Sequence, residues 1–164
     1  MTFDAATFRN TLGCFASGVT VVTAADADGT PVGVTVSAFS SLSLDPPLVL
    51  FCLDRKTSHL DVFRTSGHFA VHVLAENQRD VSARFAKRGD DKWDGQDFSR
   101  GNNGSPLLPG CLASMECTTT AIHEGGDHLV FVGQVDRASA SDTGKPLLYF
   151  RGNYAALARL VTAS

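Results

Sequence analysis

Apolar and polar residues alternate with a period of two along much of the chain, in short runs separated by turn residues. Residues 19–24 form one such run, and an Asp28-Gly29 pair leads from it to a second run that begins at Gly33. An Asp-Gly pair between two alternating runs is typical of a β-hairpin. Most of the links between runs are short, which predicts an antiparallel sheet. Further strands are predicted over residues 48–53, 69–74, 112–123, 128–135 and 147–150.

The run at residues 48–53 differs from the others because it is apolar without interruption. Such a run predicts a strand that is buried on both faces. Helical spacing is clearest at the start of the chain, where Phe8, Leu12 and Phe15 share one face and Gly18 is expected to end the helix. Further helices are predicted from a cap at Ser58 to residue 64, over residues 76–87 and over residues 154–160.

Strands outnumber helices in this reading, and the chain of 164 residues is expected to form a single domain over residues 1–164. The prediction is therefore a mainly β fold, an antiparallel barrel with a few peripheral α-helices. Residues 88–110 carry many glycines, prolines and asparagines and no usable periodicity, so they are predicted to form a long loop. Trp93, the only tryptophan, either anchors this loop by burial or covers a ligand.

The charge, hydropathy and cysteine content of the chain argue against several classes of protein. The formal net charge of -3 gives no electrostatic reason to expect nucleic acid or an anionic membrane as a partner. No apolar run is long enough to span a bilayer, and no signal peptide is evident. The four cysteines each lie in an apolar setting and are expected to be reduced, mostly buried thiols in a cytoplasmic protein. Their spacing fits no zinc site. His68 and His72 flank a predicted strand rather than share a helix face, so no metal site is predicted there either.

Residues 33–47 are the first candidate for chemistry. Val34 and Val36 alternate with Thr35 and Ser37, and more serines follow. Small side chains and hydroxyl groups let a flat polar ligand approach the main chain and find hydrogen-bond donors there. An ordinary strand and turn explains the same composition, so both interpretations stay open on the residues alone.

Three shorter groups complete the candidates. The loop at residues 55–58 gathers two cations and two hydroxyls, which suits a phosphate but also an ordinary exposed turn. Gly126-Asp127-His128 places an imidazole at the start of a strand. Tyr149, Arg151 and Tyr154 offer rings and a cation, either for ligand stacking or for burial at an edge. Phosphate-binding glycine motifs and a nucleophile elbow are missing from the sequence.

The order of these segments resembles the short-chain flavin reductase family, the reductase components of two-component flavin-dependent monooxygenases. The resemblance covers nearly the whole chain. It is carried by Phe8-Arg9-Asn10, residues 15–23, Gly33 to Pro47, residues 54–58, Phe85-Ala86, Leu107-Leu108-Pro109-Gly110, Gly126-Asp127-His128 and residues 149–154.

The resemblance implies a Greek-key-like, FMN-binding split β-barrel that is usually a homodimer. It implies an oxidoreductase that uses NADH or NADPH to reduce FMN or FAD, by hydride transfer from nicotinamide C4 to flavin N5. A separate oxygenase component would then receive the reduced flavin. Two alternatives are a non-catalytic flavin carrier or sensor on the same barrel, and an oxidase that takes hydrogen from an organic substrate.

The resemblance also implies roles for individual residues. Contacts with the flavin ring and ribityl chain are implied for Thr35, Val36, Ser37, Ala38, Phe39, Ser41 and Leu42. The flavin phosphate is assigned to Arg55, Lys56, Thr57 and Ser58, and a further flavin-lining segment to Arg84, Phe85 and Ala86. His128 is implied to lie beside the nicotinamide as the catalytic residue, and Phe150, Arg151, Gly152, Asn153 and Tyr154 are implied to line the same side. The choices between FMN and FAD and between NADH and NADPH stay open.

Overall fold

The computed structural model describes residues 2–89 and 91–158. The helices are α1 (Ala5–Leu12), α2 (Leu60–Thr65), α3 (Arg79–Ala86) and a 3-10 turn over Asp91–Trp93. The strands of the first half are β1 (Ser17–Gly18), β2 (Thr20–Ala25), β3 (Pro31–Val36), β4 (Phe39–Leu44), β5 (Pro47–Asp54) and β6 (His68–Val73). The second half holds β7 (Ser99–Arg100), β8 (Pro106–Leu107), β9 (Ala113–Gly125), β10 (His128–Ala140), β11 (Leu147–Phe150) and β12 (Asn153–Ala156).

Seven strands form the main sheet, in the order β3-β2-β6-β9-β10-β5-β4, and all their pairings are antiparallel. The sheet is not closed, because its edge strands β3 and β4 are not hydrogen-bonded to each other. These edges are nevertheless consecutive in the chain, and only Ser37 and Ala38 separate them. Val36 and Phe39 therefore lie within roughly 11 Å of each other, three Cα steps of about 3.8 Å. The predicted mainly β, antiparallel fold is confirmed, and its barrel has an open slit.

The core consists of two clusters. The first lies inside the main sheet, where the ring of Phe51 packs against the rings of Phe69 and Phe131. The centroid of each of these two rings lies 4.9 Å from that of Phe51. The second lies where α3 covers the sheet and includes Phe85 and Leu74. Burial of these side chains supplies most of the driving force for folding.

The prediction that β5 is buried on both faces is wrong. Val49, Phe51 and Leu53 are buried, whereas Leu48, Leu50 and Cys52 between them are only half-buried. The strand lies between β4 and β10 in a sheet with a single well-packed inner face, so alternate residues point to a partly exposed outer face.

The prediction that the cysteines are mostly buried is also wrong. Cys117 is buried, Cys52 and Cys111 are half-buried, and Cys14 is exposed where the chain leaves α1.

Two helix predictions also need correction. The first helix ends at Leu12 with Gly13 as its C-cap, so Phe15 lies beyond it and Gly18 belongs to β1. Strand pairing explains this early end, because Ser17 and Gly18 pair with β11. The predicted helix over residues 154–160 is wrong where it is described, since residues 153–156 pair with β11 as β12. Residues 159 and 160 lie outside the described residues.

The short second helix begins later than its predicted cap. His59, not Ser58, is the N-cap of α2, and its side chain makes no capping hydrogen bond. The third helix agrees better with its prediction, because α3 lies inside the predicted range and buries Phe85. The long loop contains only the 3-10 turn and the two-stranded β7–β8 pair. Trp93 packs edge-on against Phe85 and Phe98, which anchors the loop, and its buried indole N–H has no hydrogen-bond partner among the described residues.

His72 is the one histidine buried in the core of the described chain. Its Nδ1 lies 3.1 Å from the carbonyl oxygen of Val21, and its Nε2 accepts a hydrogen bond of 3.2 Å from the main-chain N–H of Leu108. Nδ1 must therefore carry the proton and donate to Val21, which fixes a neutral tautomer. Burial lowers the pKa of His72 to about 4.

This pKa predicts a loss of stability in mild acid. An unfolded histidine titrates near pH 6.5, so below that pH the unfolded chain binds a proton that the folded chain excludes until about pH 4. The free energy of unfolding should fall by about 2 kcal/mol between pH 7.5 and pH 5. Urea unfolding at the two pH values measures this.

The exposed His68 provides a matched control for that experiment. His68→Gln should retain the acid-dependent loss, whereas His72→Gln, although less stable at pH 7.5, should lose most of it. A parent protein whose unfolding free energy is equal at both pH values would contradict the prediction.

Candidate functional site: a cationic cleft beside a histidine turn

The segment predicted to hold the flavin ring lies at the slit of the barrel. Val36 ends β3 with its side chain buried in the first core cluster, and Ser37 and Ala38 are exposed as they cross to β4. The hydroxyl of Thr35 donates to the carbonyl oxygen of Ser82 at 2.7 Å. This hydroxyl is therefore committed to α3, and exposed main-chain groups at residues 37 and 38 are the better donors for a ligand.

The rest of that segment follows the edge strand β4. Phe39 is half-buried and packs against the first core cluster. Ser41 and Leu42 are exposed, Leu42 to 50%. Apolar and hydroxyl groups are thus presented side by side along an unpaired strand edge, which suits a ligand with a flat ring and a polar chain.

A cleft of about 130 Å³ lies between the end of β5 and the end of α3. Four of the described residues that line it are cationic, two carry hydroxyls, and a single one is acidic. They are Lys56, Lys87, Arg88 and Lys92, then Thr57 and Ser58, then Asp54, with Val34, Phe85 and Ala86 completing the wall. The structure therefore brings the predicted phosphate loop and the predicted Phe85-Ala86 segment to one place.

Close packing of α3 on β3 forms the wall of this cleft. A Cβ atom on Gly33 would lie 2.6 Å from the ring of Phe85, so only glycine lets the ring rest on the strand. Lys92 Nζ donates to the carbonyl oxygens of Gly33 and Phe85, at 3.1 and 3.2 Å. These bonds fasten the end of the helix to the strand and place residues 87 and 88 over the cleft.

Three of the cations were missed by the sequence reasoning. Lys87, Arg88 and Lys92 fall where the predicted helix ends and the long loop begins, a segment whose sequence predicts no ligand contact for them. The available signal was a basic cluster, since Arg84, Lys87, Arg88 and Lys92 lie within nine residues.

Two arginines that were predicted to contact the flavin do not line the cleft. Arg55 forms an ion pair with Glu124, and its Nε donates to the carbonyl oxygen of Gly126 at 3.1 Å. Arg84 donates to the carbonyl oxygen of Asp94 at 2.7 Å. Both guanidinium groups instead hold loops that surround the site.

His128 lies on the turn that Arg55 holds. Its Nδ1 lies 2.7 Å from Oδ1 of Asp127. The hydrogen bond from His128 and the charge of the imidazole lower the pKa of Asp127, so this carboxylate is an acceptor and Nδ1 is the donor. The other ring nitrogen, Nε2, has no hydrogen-bond partner among the described residues, and the side chain is 42% exposed. The main-chain N–H of Arg55 donates to the carbonyl oxygen of Asp127 at 3.0 Å, which joins the histidine turn to the predicted phosphate loop.

The hairpin of β11 and β12 carries the other residues predicted for the nicotinamide side. The N–H of Arg151 donates to the carbonyl oxygen of Gly13 at 2.9 Å, and the hydroxyl of Tyr154 lies 2.8 Å from that of Ser82. These contacts run to the end of α1 and to α3. Among residues 2–89 and 91–158, no hydrogen bond or ring contact joins the hairpin to His128.

Metal sites and membrane-spanning helices are both absent from the described residues. No group of three or more histidine, cysteine, aspartate or glutamate side chains there is arranged to hold a metal ion. In the same part of the chain, no helix combines the length and the apolar character needed to cross a membrane.

Comparison with known proteins identifies the family. Residues 12–158 match the flavin reductase like domain. The chain belongs to this family. It is 44% identical over 153 residues to the reductase subunit HsaB of a flavin-dependent monooxygenase from Mycobacterium tuberculosis, covering 92% of this chain and 81% of that protein. It is 45% identical over 152 residues to the FMN reductase (NADH) SmoA from Agrobacterium fabrum, covering 93% of this chain and 86% of that protein.

A solved structure supports the same conclusion. Nitrilotriacetate monooxygenase component B from Mycobacterium thermoresistibile superimposes with a TM-score of 0.92 at 41% identity, over 97% of this chain and 90% of that one. The family membership that the sequence resemblance indicated is therefore confirmed.

Proposed function

We propose that this protein is an NAD(P)H:flavin oxidoreductase that reduces FMN or FAD and supplies the reduced flavin to a separate monooxygenase. Membership of the flavin reductase like family supports the reaction class. The names of the relatives, a reductase subunit of a monooxygenase and an NADH-dependent FMN reductase, support the oxygenase partner and the nicotinamide donor. The cytoplasmic location expected from the cysteines stays a prediction.

The cationic cleft is the observation that carries the proposal. Its four cations and two hydroxyls surround a space of about 130 Å³, which fits a phosphate group on a flavin. Lysine and arginine bind a dianionic phosphate through charge-assisted hydrogen bonds, which are about twice as strong as neutral ones. Residues 37–42 at the slit would then hold the ring and the ribityl chain, with Thr35 keeping α3 in place.

A bound flavin would supply the redox chemistry as the hydride acceptor, with the pyridine nucleotide as the donor. The protein has to bind the flavin and the pyridine nucleotide together and to orient the nicotinamide ring against the flavin ring. Main-chain N–H groups at the slit would stabilise negative charge on the pyrimidine side of the ring. His128, held by Asp127 through Nδ1, would present Nε2 to the carboxamide of the nicotinamide.

Flavin-dependent oxidation of NADH or NADPH is the first expected result. Steady-state absorbance at 340 nm, with FMN and FAD each tested against NADH and NADPH, measures it and ranks the four combinations. No oxidation in any combination would leave the flavin carrier as the better interpretation.

The role of His128 is tested in the same assay. His128→Ala should raise KM for the pyridine nucleotide or lower kcat, while the Kd of the flavin stays within about twofold of the parent value. His123→Ala, a change at another exposed histidine of the same hairpin, serves as the control. Loss of flavin binding with unchanged nicotinamide kinetics would show that His128 had been assigned to the wrong ligand.

The cleft predicts a specific preference for phosphorylated flavin. Lys87→Gln, Arg88→Gln and Ser58→Ala should each raise the Kd of FMN by roughly threefold to tenfold, because each change removes a phosphate partner. Riboflavin has no phosphate, so its Kd should stay unchanged. Fluorescence titration of both ligands at low and high salt measures the difference, which salt should reduce.

Lys145→Gln removes an exposed cation outside the cleft and is the matched control. It should leave both dissociation constants unchanged. Equal weakening of FMN and riboflavin in the cleft variants would contradict a phosphate site.

We also propose that the protein is a homodimer. Large apolar side chains are exposed on α1, after it and on the edge strand β4, including Leu12 at 57%, Phe15 at 81% and Leu44 at 95%. Exposed apolar groups of this size are typical of association surfaces. Light scattering after size exclusion should give a mass of about twice the chain mass of 17.4 kDa, and Phe15→Ser with Leu44→Ser should reduce it. A parent protein of single-chain mass at micromolar concentration would refute the dimer.

A further inference from the structure

A second cavity lies on another part of the molecule, between the end of α1 and the turn of the β11–β12 hairpin. Its volume is about 480 Å³, within the range of small-ligand sites. The described residues that line it come from these two elements only, and none is acidic. They are Arg9, Asn10, Gly13, Cys14, Arg151 and Gly152.

The hairpin turn has an unusual residue for its geometry. Phe150 pairs with Asn153, so the turn consists of Arg151 and Gly152, with φ values of 48° and 79°. A two-residue turn with both φ values positive favours Asn-Gly, because a longer side chain is strained in the left-handed region. The turn therefore holds arginine at a cost in stability, which indicates that the side chain has a use there.

The guanidinium group of Arg151 is held over the cavity without a carboxylate partner in the part of the chain that the structure describes. Its Nη2 lies 3.8 Å from Sγ of Cys14, and its Cζ lies 5.2 Å from the centroid of the Phe150 ring. These weak contacts orient the group but leave its charge uncompensated. The main chain of the turn is fixed separately, by the hydrogen bond from the N–H of Arg151 to Gly13.

Arg9 brings a second guanidinium group to the same cavity. Arg9 and Gly13 are four residues apart at the end of α1 and share one side of it. Phe8 and Leu12 share the neighbouring side, so the apolar surface and the cationic cavity are distinct. No ion pair joins Arg9 to a carboxylate among residues 2–89 and 91–158.

We infer that this cavity binds the diphosphate of the pyridine nucleotide, with Arg9 and Arg151 as its cationic ligands. The inference rests on the proposed function, which requires two anionic reactants in one protein. The cleft beside α3 provides for the flavin phosphate, and the cavity at α1 provides a second, separate cationic site. Two guanidinium groups and the side-chain amide of Asn10 match the oxygens of a diphosphate, to which arginine bonds in pairs.

ADP-ribose tests the inference without any redox reaction, because it carries the diphosphate and lacks the nicotinamide. Its Kd, measured by calorimetry on the flavin-loaded protein, should rise about tenfold in Arg9→Gln and in Arg151→Asn, the loss expected for one charge-assisted contact. Arg137→Gln, at an exposed position on β10, should leave the Kd unchanged.

Thermal unfolding distinguishes a binding role from a structural one. Arg151→Asn suits the left-handed turn better than the parent residue, so its Tm should equal that of the parent or exceed it by about 2 °C. Weaker ADP-ribose binding together with an unchanged or higher Tm supports the inference. A Tm that falls by several degrees, or a Kd within twofold of the parent in either variant, overturns it.

A comparison of hydride donors separates this inference from the proposed function. 1-Benzyl-1,4-dihydronicotinamide has no phosphate, so the arginine variants should lose kcat/KM about tenfold with NADH and keep it with this donor. Equal loss with both donors overturns the diphosphate site. Absence of oxidation by NADH in the parent refutes the proposed function, whereas absence of ADP-ribose binding in the parent refutes the inference whatever the activity.

Discussion

The contact between Phe85 and the bare main chain of Gly33 is the interaction on which the candidate site depends. It lets α3 lie directly on β3, and Lys92 then ties the two elements through both of their carbonyl groups. Ser82, one turn earlier on the same helix, accepts the hydroxyl of Thr35 at its carbonyl oxygen and bonds Tyr154 through its own hydroxyl. One short helix thus sets the spacing between the slit of the barrel, the cationic cleft and the closing hairpin.

This arrangement explains why the chain has so few candidates for acid–base catalysis. A flavin reductase needs two large reactants held in contact, and orientation of that kind is supplied by main-chain groups, packing and phosphate-binding cations. Among the described residues, the cleft places four cations around one carboxylate, Asp54, whose Oδ1 already accepts the N–H of Lys56 at 2.8 Å. A cluster in which cations outnumber carboxylates attracts an anion.

Period-two alternation was enough to predict most strands and the antiparallel sheet, because the inner face of each strand is apolar. The predicted ends of helices and strands were wrong where a tertiary contact determines them. Gly18 reads as a helix stop, yet it pairs with β11, and residues 153–156 have helical spacing but return as a strand after a tight turn. The family resemblance assigned Lys56, Thr57, Ser58 and Phe85 to the same ligand, the flavin, and the structure places all four in the wall of one cleft. The resemblance could not show that the guanidinium group of Arg55 points to Glu124, because side-chain direction depends on a partner 69 positions away in the chain.

Backbone strain gives independent evidence about where ligands bind. Of the described residues other than glycine, only His59 and Arg151 have positive φ, at 59° and 48°. His59 directly follows residues 55–58, which the resemblance assigns to the flavin phosphate. Arg151 lies within residues 150–154, which the resemblance assigns to the nicotinamide side. Strain of this kind persists only where the surrounding structure imposes it, and it clusters at active sites and ligand-binding segments. At Arg151 the surrounding structure imposes only the main-chain path, through the bond to Gly13, and an asparagine could follow that path with less strain. The turn alone therefore does not explain the arginine, whereas the diphosphate contact proposed for its guanidinium group would.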